Sequence, residues 1–130
     1  LPHLETEADW IAALRSVRSK VRPGGRFLAS IRDYDALLVD RPRSTAPHVY
    51  DGGRRLVFQV WDWEKERSYV FHHFILLDGA EGWITKRRTA RYHAVLREEI
   101  TDRLRDAEFS KVRWLLPAKS GYYQPVVVAR

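Results

Sequence analysis

The segment around Pro23-Gly24-Gly25 constrains the fold more than any other part of the sequence. Proline has no amide N–H and glycine adopts positive φ without steric cost, so a helix that precedes this segment must end here. The residues from Phe27 to Ile31 then form a short apolar run between turn signals, which is typical of a central strand covered on both faces. Ligands of open α/β sheets bind outside the carboxyl ends of the strands, so we expect function at the residues that leave this strand: Ser30, Arg32, Asp33 and Tyr34.

The composition indicates one globular domain that has no membrane span and no cysteine for disulfides or thiol catalysis. The chain has 130 residues, of which 45% are hydrophobic, and this is enough for a packed core. It contains no cysteine, which excludes disulfides, a thiol nucleophile and a thiolate metal site. No apolar run approaches the roughly 20 residues of a membrane span, and no signal-like segment opens the sequence. We therefore expect a cytoplasmic protein with no membrane partner.

The net charge of +6 comes from 23 Lys and Arg against 17 Asp and Glu, and a basic balance can indicate nucleic-acid binding. Here the charges are mostly interspersed with acids, as in the stretch from Asp102 to Asp106. Mixed charges are typical of a solvated helix face. Charge alone therefore does not predict a nucleic-acid partner.

Hydrophobic periodicity predicts a mixed order of helices and strands. A capping pair of Thr6 and Asp9 begins a helix over residues 7–21, and a loop follows the central strand over residues 40–53. An antiparallel meander is predicted next, with strands over residues 54–63, 67–77 and 83–92. A helix over residues 93–107 follows it. The chain then closes with a pair of strands over 111–116 and 122–129, joined through 117–121. We interpret residues 1–130 as one partial domain: 1–39 is a helix and central strand, 40–92 a loop with an antiparallel insertion, and 93–130 a helix with a closing strand pair.

Two common catalytic arrangements are not supported by the sequence. His72 and His73 are adjacent on a predicted strand, so their side chains face opposite sides and cannot share one metal ion. No G-x-S-x-G nucleophile elbow is present. We therefore predict no metal site and assign no residue a covalent catalytic role.

This order of elements resembles the second half of a class I S-adenosylmethionine-dependent methyltransferase. The stretch from Val21 to Ile31 resembles the "L-R-P-G-G" approach to the fifth strand of that family, and the stretch from Leu104 to Phe109 resembles the helix end before its sixth strand. Glu108 stands where the family usually has a small residue at that helix end. The resemblance implies an α/β fold, the C-terminal half of a Rossmann-like methyltransferase sheet, with three strands, two main helices and an inserted three-stranded antiparallel meander. In this fold the strand from Phe27 to Ile31 should lie beside the closing strand of Val126 to Val128.

Within that superfamily, the segment from Ser30 to Asp35, followed by an antiparallel insertion and Arg91-Tyr92-His93, is similar to glycine and sarcosine N-methyltransferases. The resemblance implies that Arg32 holds a substrate carboxylate, that Tyr92 lines the substrate pocket, and that His3 lies beside the methyl donor. Tyr34 is a polar candidate for binding an amine substrate. Structural alternatives remain open: Arg32 could pair with Asp33 or Asp35, His3 could be a local cap, and Tyr92 could be a core aromatic.

The donor-binding part of the family is not recognisable here. The family grips S-adenosylmethionine, the implied co-substrate, with a glycine-rich loop after a strand, but Gly24-Gly25 and Gly52-Gly53 both precede predicted strands. The sequence opens on Leu1-Pro2-His3-Leu4 and has no methionine, so we expect a segment of a longer protein. This segment would supply the acceptor side and be inactive alone, with its uncovered sheet edge met by an N-terminal half or by self-association.

The alternative interpretation is a non-enzymatic binding module. In it, the aromatic residues of the meander, together with its arginines, recruit a protein or a single-stranded nucleic acid. The residues concerned are Trp61, Trp63, Tyr69, Phe71, Arg87, Arg88 and Arg91.

Overall fold

The computed structural model describes Leu4 and residues 6–130. The helices are α1 (Glu7–Lys20), α2 (Tyr34–Asp40), α3 (Arg97–Asp106) and α4 (Pro117–Ser120), and a 3-10 turn spans Asp51–Gly53. The strands are β1 (Phe27–Ser30), β2 (His48–Tyr50), β3 (Arg55–Trp63), β4 (Ser68–Gly79), β5 (Gly82–His93), β6 (Arg113–Leu115) and β7 (Val126–Ala129). The described residues form two compact units, one comprising those up to Leu37 together with Val95–Arg130, the other comprising Leu38–Ala94.

The sheet of the first unit has the strand order β1-β7-β6, with β7 antiparallel to both neighbours. Phe27 lies opposite Ala129 and Ser30 lies opposite Val126, which confirms the prediction that the first strand lies beside the closing strand. Among the described residues, β1 is an edge strand. Leu28 is 60% exposed, so the expectation that this strand is covered on both faces is wrong for the described part of the chain.

The core of the first unit lies between the sheet and the helices α1 and α3. Helix α1 begins as predicted, because the Asp9 N–H donates to the Thr6 hydroxyl oxygen at 3.1 Å. Arg103 connects the two helices, since its guanidinium lies 4.6 Å from the centre of the Trp10 ring and 2.9 Å from a Glu7 carboxylate oxygen. The buried side chains of this core include Trp10, Leu14, Ile100, Leu104, Ala107, Phe109, Val127 and Val128.

Helix α3 ends in a left-handed residue that is not glycine. Glu108 has φ of 64°, and the Phe109 N–H donates to the Leu104 carbonyl at 3.0 Å. An L-residue pays roughly 1–2 kcal/mol for this conformation. The turn forms because burial of Phe109, which is 3% exposed, requires the chain to reverse here.

The second unit is a four-stranded antiparallel sheet with the order β2-β3-β4-β5. The predicted meander of three strands is confirmed, but the predicted loop over 40–53 is wrong in part because it contains β2. The turn between β2 and β3 has positive φ at Asp51, Gly52 and Gly53. The glycine pair therefore forms a hairpin turn, and a strand of three residues beside it is too short for a periodic pattern.

Aromatic side chains form the core of the second unit. Tyr69 is fully buried and Trp61 is 4% exposed. The Tyr69 ring centre lies 5.4 Å from that of Trp61, 4.7 Å from that of Trp63 and 5.7 Å from that of Tyr92. These rings hold β3, β4 and β5 together on one face of the sheet.

Three boundaries near the end of the chain differ from the prediction. The closing strand begins at Val126 rather than Tyr122, because Pro125 has no N–H for a strand ladder. The connection after β6 contains the short helix α4, which has Pro117 at its first turn and ends at the left-handed Gly121. Helix α3 begins at Arg97 rather than residue 93, since the Ala94 N–H still donates to the Arg67 carbonyl at 2.8 Å. None of the described helices is both long and apolar enough to cross a lipid bilayer.

Candidate functional site

The carboxyl end of β1 is held in place by main-chain hydrogen bonds. The Ile31 N–H donates to the Pro125 carbonyl at 3.2 Å, so pairing with the closing segment extends one residue beyond the strand. The Tyr34 N–H donates to the Arg32 carbonyl at 2.8 Å, where the chain turns into α2. Arg32 is half-buried at this turn. The structure therefore places Arg32 at the carboxyl end of the strand, as the sequence predicts.

Asp33 and Asp35 share one arginine of the same unit. Nη1 of Arg97 lies 3.1 Å from Oδ1 of Asp33, and Nε of Arg97 lies 3.4 Å from Oδ2 of Asp35. The Arg97 N–H also donates to Asp35 at 3.2 Å, and the Ala36 N–H donates to Asp33 at 3.4 Å. These bonds tie the start of α3 to the start of α2. They also neutralise much of the negative charge beside Arg32.

The other predicted site residues lie in different places. Tyr34 is the first residue of α2 and its side chain is 1% exposed, within the first unit. Tyr92 lies on β5 in the second unit, where its ring stacks on Phe71 with centres 5.2 Å apart. His3 lies outside the described residues. Roles for these residues in substrate or donor binding stay predictions.

Tyr122 and Tyr123 are further site candidates, and they lie outside the strand that the sequence pattern predicts for them. Their ring centres lie 4.6 Å apart in the connection before β7, and Tyr123 is 76% exposed. A hydrogen bond with Tyr122 raises the pKa of the Tyr123 phenol, and the positive charge of Arg32 opposes this shift. Tyr123 therefore keeps its proton at neutral pH. Two adjacent aromatic residues in a turn-rich connection are a signal that could have identified them.

The arrangement favours recognition of a ligand rather than proton abstraction. Arg32 supplies a planar cation, and the two tyrosines supply exposed ring faces and hydroxyl groups in the same unit. A phenol that keeps its proton at neutral pH does not act as a general base. The described residues contain no group of three or more metal-ligating side chains of the kind that binds a metal ion.

His72 has a structural role in the second unit. Its Nε2 lies 2.9 Å from Oδ2 of Asp62 on β3, and its Nδ1 lies 3.0 Å from the Thr89 hydroxyl on β5. The ring thus bridges the two strands that flank β4. Asp62 also pairs with Arg43 at 2.7 Å. Both ring nitrogens of His72 are therefore engaged within the sheet.

The described residues do not form a site for S-adenosylmethionine of the expected kind. Such a site needs glycine between the end of a strand and the start of a helix, so that the ligand can approach the backbone closely. The connections from β1 to α2, from β5 to α3 and from β6 to α4 contain no glycine. The described residues therefore lack the glycine-bearing connection that such a site uses.

The chain shares its fold with solved S-adenosylmethionine-dependent methyltransferases. It matches a sugar N-methyltransferase from Streptoalloteichus sp. with a TM-score of 0.71 and 15% identity, covering 98% of this chain and 51% of that one. It matches a SAM-bound amino pentose methyltransferase from Micromonospora echinaspora with a TM-score of 0.68 and 18% identity, covering 98% and 52%. A S-adenosylmethionine-dependent methyltransferase from Clostridium acetobutylicum matches with a TM-score of 0.68 and 12% identity, covering 95% and 50%.

No protein-family model and no curated protein sequence matches the chain. The chain spans about half the length of each structure that it matches. At these identities the likeness concerns the fold. The predicted α/β fold, with three strands of a methyltransferase sheet and an antiparallel insertion, is therefore confirmed.

Proposed function

We propose that this chain forms the acceptor side of an enzyme that transfers a methyl group from S-adenosylmethionine to the amine of a small molecule. The observation that carries the proposal is the topology of the first unit. Strand β7 runs antiparallel between β1 and β6, and an antiparallel sheet is inserted between α2 and α3. Solved S-adenosylmethionine-dependent methyltransferases share this arrangement over 95–98% of the chain.

The acceptor in this proposal is bound at the carboxyl end of β1. Arg32 pairs with an acidic group of the acceptor, because a guanidinium binds a carboxylate or phosphate in two-point geometry. Tyr123, whose phenol feels the charge of Arg32, and the neighbouring Tyr122 offer ring faces to the acceptor. Binding and orienting an acceptor can contribute on the order of 7–11 kcal/mol to a bimolecular transfer, so these residues would act by positioning.

The class of the amine distinguishes two versions of the proposal. The motif from Ser30 to Asp35 resembles enzymes that methylate amino acids, whereas two of the matched structures act on an amino pentose and on a sugar amine. Both classes offer an amine on a small polar molecule. The exposed ring faces of Tyr122 and Tyr123 favour a cyclic acceptor over glycine, since an acyclic amino acid has no face to stack on a ring.

In this proposal, the half of the enzyme that binds S-adenosylmethionine is formed by residues other than the 130 of this chain segment. The outer edge of β1 is unpaired among the described residues, and Leu28 beside it is exposed. Such an apolar edge invites pairing with another strand. A preceding half of the same chain is the proposed partner, and a second copy of this chain is the alternative.

The test is methyl transfer by the intact protein. Labelled S-adenosylmethionine would be incubated with a panel of amines that includes glycine, sarcosine and amino sugars, and label in the acceptor would be counted. The proposal predicts incorporation into at least one amine, and Arg32→Gln should lower kcat/KM for anionic acceptors by about 100-fold, as expected for loss of a charged hydrogen-bond pair. Absence of transfer to every amine, with bound donor demonstrated, would contradict it.

The binding-module alternative receives less support. Of its proposed stacking residues, Trp61 and Tyr69 are buried in the second unit and cannot receive nucleic-acid bases. Arg91 is paired with Glu64 at 3.0 Å. Salt-sensitive retention on single-stranded DNA would still favour this function, and we expect the protein to pass through such a column.

A further inference from the structure

Four cationic side chains surround one cavity at the end of the first-unit sheet that lies opposite the carboxyl end of β1. The cavity has a volume of about 270 Å³ and is lined by Arg26, Lys111, Arg113, Val128 and Arg130. Arg26 precedes β1, Arg130 follows β7, and Arg113 begins β6. The cavity therefore lies at the other end of the sheet from the proposed acceptor site.

Strand pairing forces these like charges together. Phe27 lies opposite Ala129, so the next residues outward, Arg26 and Arg130, face each other across the ends of β1 and β7. Arg113 lies opposite Val128 on the other side of β7. Like charges at directly opposed positions destabilise a sheet. The fold thus keeps an arrangement of cations that is unfavourable without a negative partner.

A bulge directs Lys111 to the same place. The Ser110 and Arg130 main chains exchange two hydrogen bonds, whereas the register of β6 and β7 would put Lys111 opposite Arg130. Two residues of the segment before β6 therefore lie opposite one residue of β7, which is a β-bulge. Lys111 takes the left-handed conformation in this bulge, with φ of 50°. Bulges commonly redirect a side chain at the margin of a sheet. This one adds a cation to a cluster that already holds three.

No acidic side chain is among the residues that line the cavity. None of the four cations forms an ion pair with any side chain that the structure describes, although other arginines of this unit, such as Arg97 and Arg103, have acidic partners. All four side chains are exposed. Cations that line a concave surface without counter-charges raise the local concentration of anions.

We propose that this cavity is a binding site for a phosphate group, carried by a small phosphorylated molecule. Guanidinium groups bind phosphate oxygens in pairs, and three arginines converge here with a lysine. A cavity of about 270 Å³ is large enough for a phosphate or diphosphate group with part of its hydration. The site is separate from the acceptor site and does not depend on methyl transfer.

Titration calorimetry of the intact protein with inorganic phosphate and with pyrophosphate tests the site. We expect one saturable site per chain, tighter binding of pyrophosphate than of phosphate, and weakening of both by added sodium chloride. Arg113→Gln should weaken pyrophosphate binding at least about tenfold, and Arg113→Lys should weaken it less, because lysine keeps the charge but not the two-point geometry.

Arg87→Gln is the matched control. Arg87 is an exposed cation on β5, outside the cavity, and its substitution changes the net charge by the same amount. We expect Arg87→Gln to change the affinity for pyrophosphate less than about twofold, because salt screens an exposed charge outside the cavity. Equal weakening by Arg113→Gln and Arg87→Gln, or no saturable binding of either anion, would overturn the proposal. So would tighter binding of a single-stranded oligonucleotide that Arg87→Gln also weakens, since that result indicates a nucleic-acid surface.

Discussion

Replacement of Arg97 by methionine tests whether the two ion pairs at the start of α3 hold the carboxyl end of β1. Methionine keeps most of the apolar stem and removes the guanidinium that lies 3.1 Å from Asp33 and 3.4 Å from Asp35. The Arg97 main-chain N–H still donates to Asp35, so the start of the helix keeps one of its bonds. The substitution therefore isolates the charge interaction.

The expected magnitude follows from distance and exposure. For a 3.1 Å pair, Coulomb's law gives about 1.3 kcal/mol in water and about 5 kcal/mol at an effective dielectric constant near 20. The three side chains are 28–35% exposed, which calls for a large discount for screening, desolvation and side-chain entropy. We expect each pair to contribute about 0.5–1 kcal/mol and Arg97→Met to lower the free energy of unfolding by about 1–2 kcal/mol.

Urea unfolding followed by circular dichroism measures this change, and Arg105→Met is the matched control. Arg105 lies on the same helix and pairs with Asp102 at 3.2 Å, but both side chains of that pair are at least 60% exposed. The control should therefore cost less than about 0.5 kcal/mol. A double-mutant cycle of Arg97→Met with Asp33→Asn should give a coupling free energy of about 0.5–1 kcal/mol. Equal costs for the two arginines, or a coupling of zero, would refute the reasoning.

Three further outcomes follow from the first unit. Glu108→Gly should raise the free energy of unfolding by about 0.5–1 kcal/mol in urea titrations, because glycine adopts the left-handed conformation without strain; a loss of stability would show that the turn is not strained. Leu104→Ala should lower the free energy of unfolding by about 2–5 kcal/mol, because this side chain is fully buried. Leu28→Ala should cost less than about 1 kcal/mol in this chain, because Leu28 is exposed. Similar costs for the two variants would show that both residues have similar surroundings. Tyr122→Phe removes the hydrogen bond that raises the pKa of the Tyr123 phenol, so the phenolate absorbance of Tyr123 should appear at lower pH, nearer the ordinary pKa of 10.0. Because the pKa of Tyr123 is higher in the folded protein, its contribution to stability is present below the ordinary pKa and is lost as pH rises through the folded value. An unchanged titration would mean that Tyr122 does not set this pKa.

The sequence predicted the pairing at the centre of the first unit because its signals are local and strong. Pro23-Gly24-Gly25 ends one helix. The apolar run from Phe27 to Ile31 and the β-branched stretch Val126-Val127-Val128 both favour strands, and in the structure these strands are adjacent. Strand β2 was missed because it has three residues among prolines and glycines, which outweigh so short a pattern. Its pairing with β3 depends on a turn geometry that composition does not reveal.

The candidate site was only partly predictable. Arg32 could be identified because the end of a central strand is a defined position in the chain. Arg97 could not, since its partners Asp33 and Asp35 lie more than sixty positions away and a charged residue on an amphipathic helix normally indicates a solvated face. The cluster around Lys111 was also invisible, because it arises from strand register and a bulge that bring distant parts of the sequence together.

Titration calorimetry with S-adenosylmethionine tests the central claim most directly. We expect the intact protein to bind the donor and the 130-residue chain alone not to bind it, because no strand-to-helix connection of its described residues carries glycine. Donor binding by the chain alone with the affinity of the intact protein would contradict the assignment of these residues to the acceptor side. Absence of binding to the intact protein would contradict the proposed methyl transfer itself.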